Sequence, residues 1–208
     1  MKTKIWFAVI AAALFTTTTN AQSKTTFGIR AGINFQNLNG KNSDGDKLDN
    51  KLKTGFNAGV NAEVPVGSDF YVQPGVLFST KGAKFSDVNG GVSRNLSYIE
   101  IPVNFLYKPE LGEGRVLLGF GPYAAFAVGG NTKIGSNKTD LEFGGDVGES
   151  KRFDAGANLL AGYEFTNKLS FQLNAGLGLV NMYNRLDSDK KTTVKNTGFG
   201  VSVGYRFQ

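Results

Sequence analysis

The chain has 208 residues, with 23 basic and 17 acidic side chains for a formal charge of +6, and it contains neither cysteine nor histidine. Without cysteine there are no disulfides and no lipid-modified N-terminal cysteine, and without histidine acyl transfer near neutral pH lacks its usual base. So small and scattered a charge excess does not fit a nucleic-acid binder.

The chain opens with Lys2 and Lys4, an apolar run from Ile5 to Phe15, and Thr19-Asn20-Ala21 before a cut site. This order predicts a secretory signal peptide over residues 1–21. Its eleven-residue apolar run falls short of the about 20 needed to span a bilayer as a helix. Residues 22–208 then form one domain, with 21 basic against 17 acidic side chains once Lys2 and Lys4 are removed.

Eight alternating segments follow, each with apolar residues at every second position. The first sets Phe27, Ile29, Ala31, Ile33 and Phe35 against Gly28, Arg30, Gly32 and Asn34. Next come Phe56, Ala58, Val60, Ala62, Val64 and Val66 opposite Gly55, Asn57, Gly59, Asn61 and Glu63, and then the turn Gly67-Ser68-Asp69. The third sets Phe70, Val72, Pro74, Val76 and Phe78 against Tyr71, Gln73, Gly75, Ser79 and Lys81, with Leu77 as an exception. The fourth opposes Ile99, Ile101, Val103, Phe105 and Tyr107 to Tyr98, Glu100, Pro102, Asn104 and Lys108, with Leu106 the lone aliphatic on the polar side.

The later segments run Val116–Val128, Arg152–Phe165, Leu169–Leu179 and Gly198–Phe207. Their polar faces are rich in Gly, Asn, Ser and Gln. Period-two alternation predicts strands. A water-soluble barrel would carry Lys, Glu and Thr on its polar face, whereas small polar residues suit a narrow interior and the bulky band suits lipid. The charges on the polar face are Arg30, Glu63, Lys81, Glu100, Lys108, Arg152, Asp154, Glu164 and Arg206, five positive and four negative. Enclosed charges need partners, so these nine are expected to form an interior ion-pair network.

The connections alternate in length. Long ones cover residues 36–53, 82–95, 129–151 and 181–196, and short ones lie near residues 67–69, 109–115 and 166–168. Aromatic residues gather at both ends, with Phe27, Phe70, Tyr107, Tyr163, Phe165, Tyr205 and Phe207 at the turn end and Phe35, Phe56, Phe78, Phe126 and Phe153 at the loop end. Together these features predict an all-β fold: an eight-stranded antiparallel up-and-down transmembrane β-barrel with two interfacial aromatic girdles. Pro74, Pro102 and Pro122 each remove a ladder hydrogen bond within a strand, so bulges or local irregularity are expected there.

Tyr98-Ile99-Glu100-Ile101-Pro102-Val103 resembles the Tyr-Leu-Glu-Ile-Pro signature of the PorT-like outer-membrane β-barrel family of Bacteroidetes. Gly121-Pro122-Tyr123, Phe153-Asp154-Ala155-Gly156 and the strand ending at Phe207 look like that family's later landmarks, although Gln208 follows the terminal aromatic. The motif residues are thus Tyr98, Glu100, Pro102, Gly121 and Pro122. The resemblance implies a cell outer-membrane location, insertion by the barrel-assembly machinery, and for some members a part in a secretion and gliding apparatus.

No residue is expected to be catalytic, to bind a cofactor or to ligate a metal. Glu100 and Asp154 read as network members rather than an acid/base couple. The Asp44-Gly45-Asp46-Lys47-Leu48-Asp49 run lacks the full spacing of a calcium loop and reads as a solvated turn. Asn39-Gly40, Asn89-Gly90-Gly91 and Gly144-Gly145 lack the Gly-Lys-Ser/Thr ending of a phosphate loop. The expected partners are the lipid bilayer, lipopolysaccharide facing Lys190, Lys191 and Lys195, and an unidentified protein at the loops. The reading is a small integral barrel with a structural or interaction role and no open pore, since eight strands enclose room only for side chains. A secretion component is one alternative, and a soluble exported barrel holding a lipid-like ligand in an apolar interior is the other.

Overall fold

The computed structural model describes residues 24–85, 91–144, 149–184 and 191–207, so the expected signal peptide lies outside the described residues. The strands in chain order are β1 (Thr26–Lys41), β2 (Asn50–Lys51), β3 (Lys53–Pro65), β4 (Phe70–Phe85), β5 (Val92–Tyr107), β6 (Glu110–Leu111), β7 (Gly114–Ile134), β8 (Asn137–Asp140), β9 (Phe153–Glu164), β10 (Leu169–Gly178) and β11 (Thr193–Arg206). Eight of them close a ring in the order β4-β3-β1-β11-β10-β9-β7-β5, with β5 pairing back onto β4. Every pairing between named strands is antiparallel. The short β2 pairs alongside β4, while β6 and β8 pair alongside β7.

Closure removes the sheet edges, which lets every strand cross lipid with its backbone bonds made. The faces divide as the alternation predicts. Phe27, Ile33, Val60, Phe120, Leu159 and Leu173 stand outward and exposed, whereas Glu63, Lys81, Glu100, Lys108, Asp154 and Arg206 are buried inside. An apolar interior for a lipid-like ligand is therefore overturned, because the large apolar side chains coat the outer wall.

Aromatic side chains pair at both rims. Phe70 stacks on Tyr107 at 4.9 Å and Tyr205 meets Phe207 at 5.4 Å toward the short turns. Toward the loops, Phe35 packs against Phe199 and Phe56 against Phe78.

Three details refine or depart from the expectation. The prolines interrupt pairing without changing register: β4 and β5 pair at Pro74↔Val103 and resume at Leu77↔Glu100 with the same offset. A proline loses one donor and adds no residue, so the ladder skips a bond and continues. The register shift falls instead at Ser97/Tyr98, where Val128 of β7 is the extra residue.

The long connections are also shorter than the hydropathy pattern suggests. β1 runs to Lys41, β5 starts at Val92 and β7 reaches Ile134. Backbone pairing continues into water, where no lipid demands an apolar face, so the alternation fades before the strand ends.

Lastly, the interior holds aliphatic patches. Leu106, Leu117 and Leu160 form one cluster, and Leu96, Tyr98, Tyr123, Ala125, Ala127 and Met182 form another.

Candidate functional site

The lumen is filled by two ion-pair clusters, one above the other. In the cluster nearer the turns, Lys108 Nζ lies 2.7 Å from Glu63 Oε2 and 3.0 Å from Glu164 Oε2. Arg206 pairs with the other oxygen of Glu63 and donates to Asn61 Oδ1 at 2.8 Å. Gln73 donates to Glu63 Oε1 at 3.2 Å, and Asn104 to Gln73 at 3.4 Å. Two cations face two carboxylates, so this cluster is neutral.

In the upper cluster, Lys81 Nζ bridges Glu100 Oε2 at 2.9 Å and Asp154 Oδ2 at 3.4 Å. The ammonium also lies 4.2 Å from the centre of the Tyr123 ring, a cation–π contact in a dry setting. Tyr123 Oη donates to Asp154 Oδ2 at 3.2 Å and Asn196 Nδ2 to the same oxygen at 2.8 Å. Asn158 donates to Glu100 at 3.3 Å. Arg30 donates to Asn174 Oδ1 at 3.2 Å and lines, with Glu100, a central cavity of about 60 Å³. Counting Arg30, this half is neutral as well. A polar cavity of this size has room for ordered water.

Small residues make room for the plug. A Cβ on Gly156 would collide with the Leu177 carbonyl oxygen and stand 2.7 Å from Tyr123 Cε1. Glycine there lets the tyrosine lie across the lumen.

Eight of the nine charges expected inside thus occupy the lumen: Arg30, Glu63, Lys81, Glu100, Lys108, Asp154, Glu164 and Arg206. Arg152 departs from the expectation. It is exposed, donates to the Ala127 carbonyl at 3.2 Å and stacks 4.9 Å from the Phe143 ring. It stands two residues before Asp154, just ahead of the first residue of β9.

Of the motif residues, Tyr98, Glu100, Pro102 and Gly121 face inward, and Pro122 faces lipid. The links through Asn196 and Met182, whose Sδ accepts from Asn196 at 2.7 Å, bring together residues far apart in the chain. No spacing in the sequence marks that contact.

Above the plug, a mouth of about 520 Å³ opens on the loop side, lined by Leu38, Lys41, Asn50, Arg94, Tyr183 and Val194 among others. A second recess of about 480 Å³ opens at the turn end. In the first loop, Asn42 Oδ1 accepts from the backbone amides of Asp44 and Asp46, shaping a turn. Among the described residues no three acidic side chains converge on a common point. Lys190 lies outside the described residues.

Residues 20–184 match the family model described as an outer membrane protein beta-barrel domain. Neisserial surface protein A has a similar fold, with a TM-score of 0.51 at 12% identity, over 89% of this chain and 100% of that one. A major outer membrane protein of Thermus thermophilus matches with a TM-score of 0.47 at 18% identity, again over 89% of this chain and 100% of that one. No curated protein matches by sequence.

Proposed function

From a chain that belongs to the outer membrane protein beta-barrel domain family, we infer a closed, non-enzymatic barrel of the cell outer membrane. Its role is structural or interactive and is carried by the loop-side face. The observation that supports this reading most strongly is the plug itself: two neutral clusters fill the lumen and leave a central cavity of about 60 Å³. A fixed charge network seals a passage, because an ion crossing it would have to break pairs that low dielectric makes strong.

Single-channel recording on the purified protein in a planar bilayer tests the seal. We expect background conductance, and discrete openings would overturn the reading. The outer-leaflet glycolipid is the expected neighbour of the wall above the bilayer, and the barrel-assembly machinery is the expected partner during insertion.

The finer placement among PorT-like barrels rests on the Tyr98–Val103 motif. Tyr98 and Glu100 of that motif belong to the plug, which gives the motif a structural use in any barrel of this shape. A part in a secretion apparatus is the second reading, and it is carried by the resemblance alone. Gene deletion followed by assay of the secreted proteins tests it, and unchanged secretion removes it.

A further inference from the structure

The ring register aligns lysines that are scattered through the sequence. Lys51 pairs with Lys84, Lys84 with Ser93, Ser93 with Lys133, and Lys133 with Lys138. Directly paired residues point to the same side of a sheet. Four exposed lysines therefore form one row across β2, β4, β5, β7 and β8, broken only by a serine.

The row lies outside the barrel. On β4, Lys81 and Ala83 are buried and Lys84 is exposed, and on β5 buried Leu96 sets Ser93 on the outer side by parity. Its height can be read from the rows below. Phe78, Ile99, Phe126 and Phe153 share one row at the loop-side edge of the apolar band. Six residues separate Phe78 from Lys84, about 20 Å along a strand and about 15 Å along the membrane normal at a tilt of about 40°. The rows between are polar or small: Thr80–Ser97–Gly129, then Gly82–Asn95–Asn131–Asp140. Asp140 is the carboxylate nearest in register, one row below on that face. Among the described residues, no carboxylate forms an ion pair with Lys51, Lys84, Lys133 or Lys138.

Like charges set directly opposite each other destabilise a sheet. Here this happens twice in one row, at Lys51/Lys84 and at Lys133/Lys138. Lys53 adds to the crowding: partial burial first, and the charges of Lys84 and Lys133 next, push its pKa below the ordinary lysine value. An unbalanced belt of this kind, about 15 Å above the apolar band, calls for an anion from outside. We propose that this row binds the phosphate groups of the glycolipid in the outer leaflet, with Lys84 and Lys133 about 10 Å apart across Ser93 as its centre. The proposal rests on the barrel being seated in the outer membrane with its loops outward.

The test compares the wild-type protein in detergent with a variant carrying K51Q, K84Q, K133Q and K138Q. Titration with purified lipopolysaccharide, intact or dephosphorylated, reads the affinity. Four surface charges lost should weaken binding of the intact glycolipid at least about tenfold and flatten its salt dependence. Dephosphorylation should weaken wild-type binding to a similar degree, and K47Q should change little.

Equal affinity of wild type and variant overturns the proposal, and so does displacement of the glycolipid by equimolar inorganic phosphate. A sulfated polysaccharide that binds the row more tightly than the glycolipid would also overturn it, in favour of a soluble polyanion. Unchanged heat-dependent mobility and background conductance in the variant keep this outcome separate from a failure of the sealed-barrel reading.

Discussion

Lys81 shows how a single residue holds the lumen together. Its ammonium is 2.9 Å from Glu100 and 3.4 Å from Asp154, and both carboxylates are almost wholly out of water. In Lys81→Met the side-chain length is kept and the charge lost, so two buried carboxylates are left with Arg30 as the one cation of their cluster. Breaking such a group costs about 3–5 kcal/mol. The midpoint of the heat-dependent mobility shift should fall clearly, and adding Asp154→Asn should recover part of the loss. Arg152→Gln, by contrast, should leave the midpoint within about 0.5 kcal/mol of wild type, as for other surface changes. A large effect of Arg152→Gln would mean that its stacking on Phe143 matters more than its exposure suggests.

The same pair of residues shows what the sequence could reveal about the site. Period-two alternation placed eight charges in the lumen: seven lie inside a strand, where parity is strict, and Lys108 lies one residue past β5, where its amide still bonds the Asp69 carbonyl at 2.7 Å. It failed for Arg152, one residue before β9, because that side chain instead bonds the Ala127 carbonyl and lies over the Phe143 ring. Parity also says nothing about which charge meets which. Lys81 and Asp154 lie 73 residues apart, and their meeting depends on where β4 and β9 fall in the ring.

At the scale of the strand, β9 is the sharpest case because two leucines sit side by side near its middle. Leu159 is 63% exposed on the lipid side, whereas Leu160 is 6% exposed and packs with Leu106 and Leu117 inside. Leu159→Arg should cost about 2–4 kcal/mol near the bilayer midplane. Leu159→Ala should be mild, since lipid fills the gap. Leu160→Ala should leave an enclosed void and cost about 2–5 kcal/mol. Urea unfolding of the three variants in lipid vesicles measures the order, and a Leu160→Ala variant milder than Leu159→Ala would contradict the assigned faces. Strand existence and facing were legible because lipid imposes an apolar residue at every second position. Strand ends were not, because the ladder continues beyond the lipid on polar residues such as Asn95 and Asn131, whose side chains bond each other at 2.9 Å.

Over the whole molecule, the barrel is a single hydrogen-bonded wall immersed in two solvents. β7 alone has 21 residues, about twice the 9–11 that a tilted strand needs to cross the hydrocarbon. Pairing is continuous from one part to the other, so the ladder alone predicts uniform protection. Water access predicts a gradient, because an amide in lipid must leave the bilayer before it can exchange, whereas one in the upper wall needs only a local opening. Hydrogen exchange of the protein in lipid nanodiscs should therefore be slow at Ile101 and Phe120. It should be faster at Arg94 and Thr132, although these two sit in the same register row. Equal exchange rates above and below the Phe78–Ile99–Phe126–Phe153 row would mean that the membrane boundary lies higher, at the lysine belt itself.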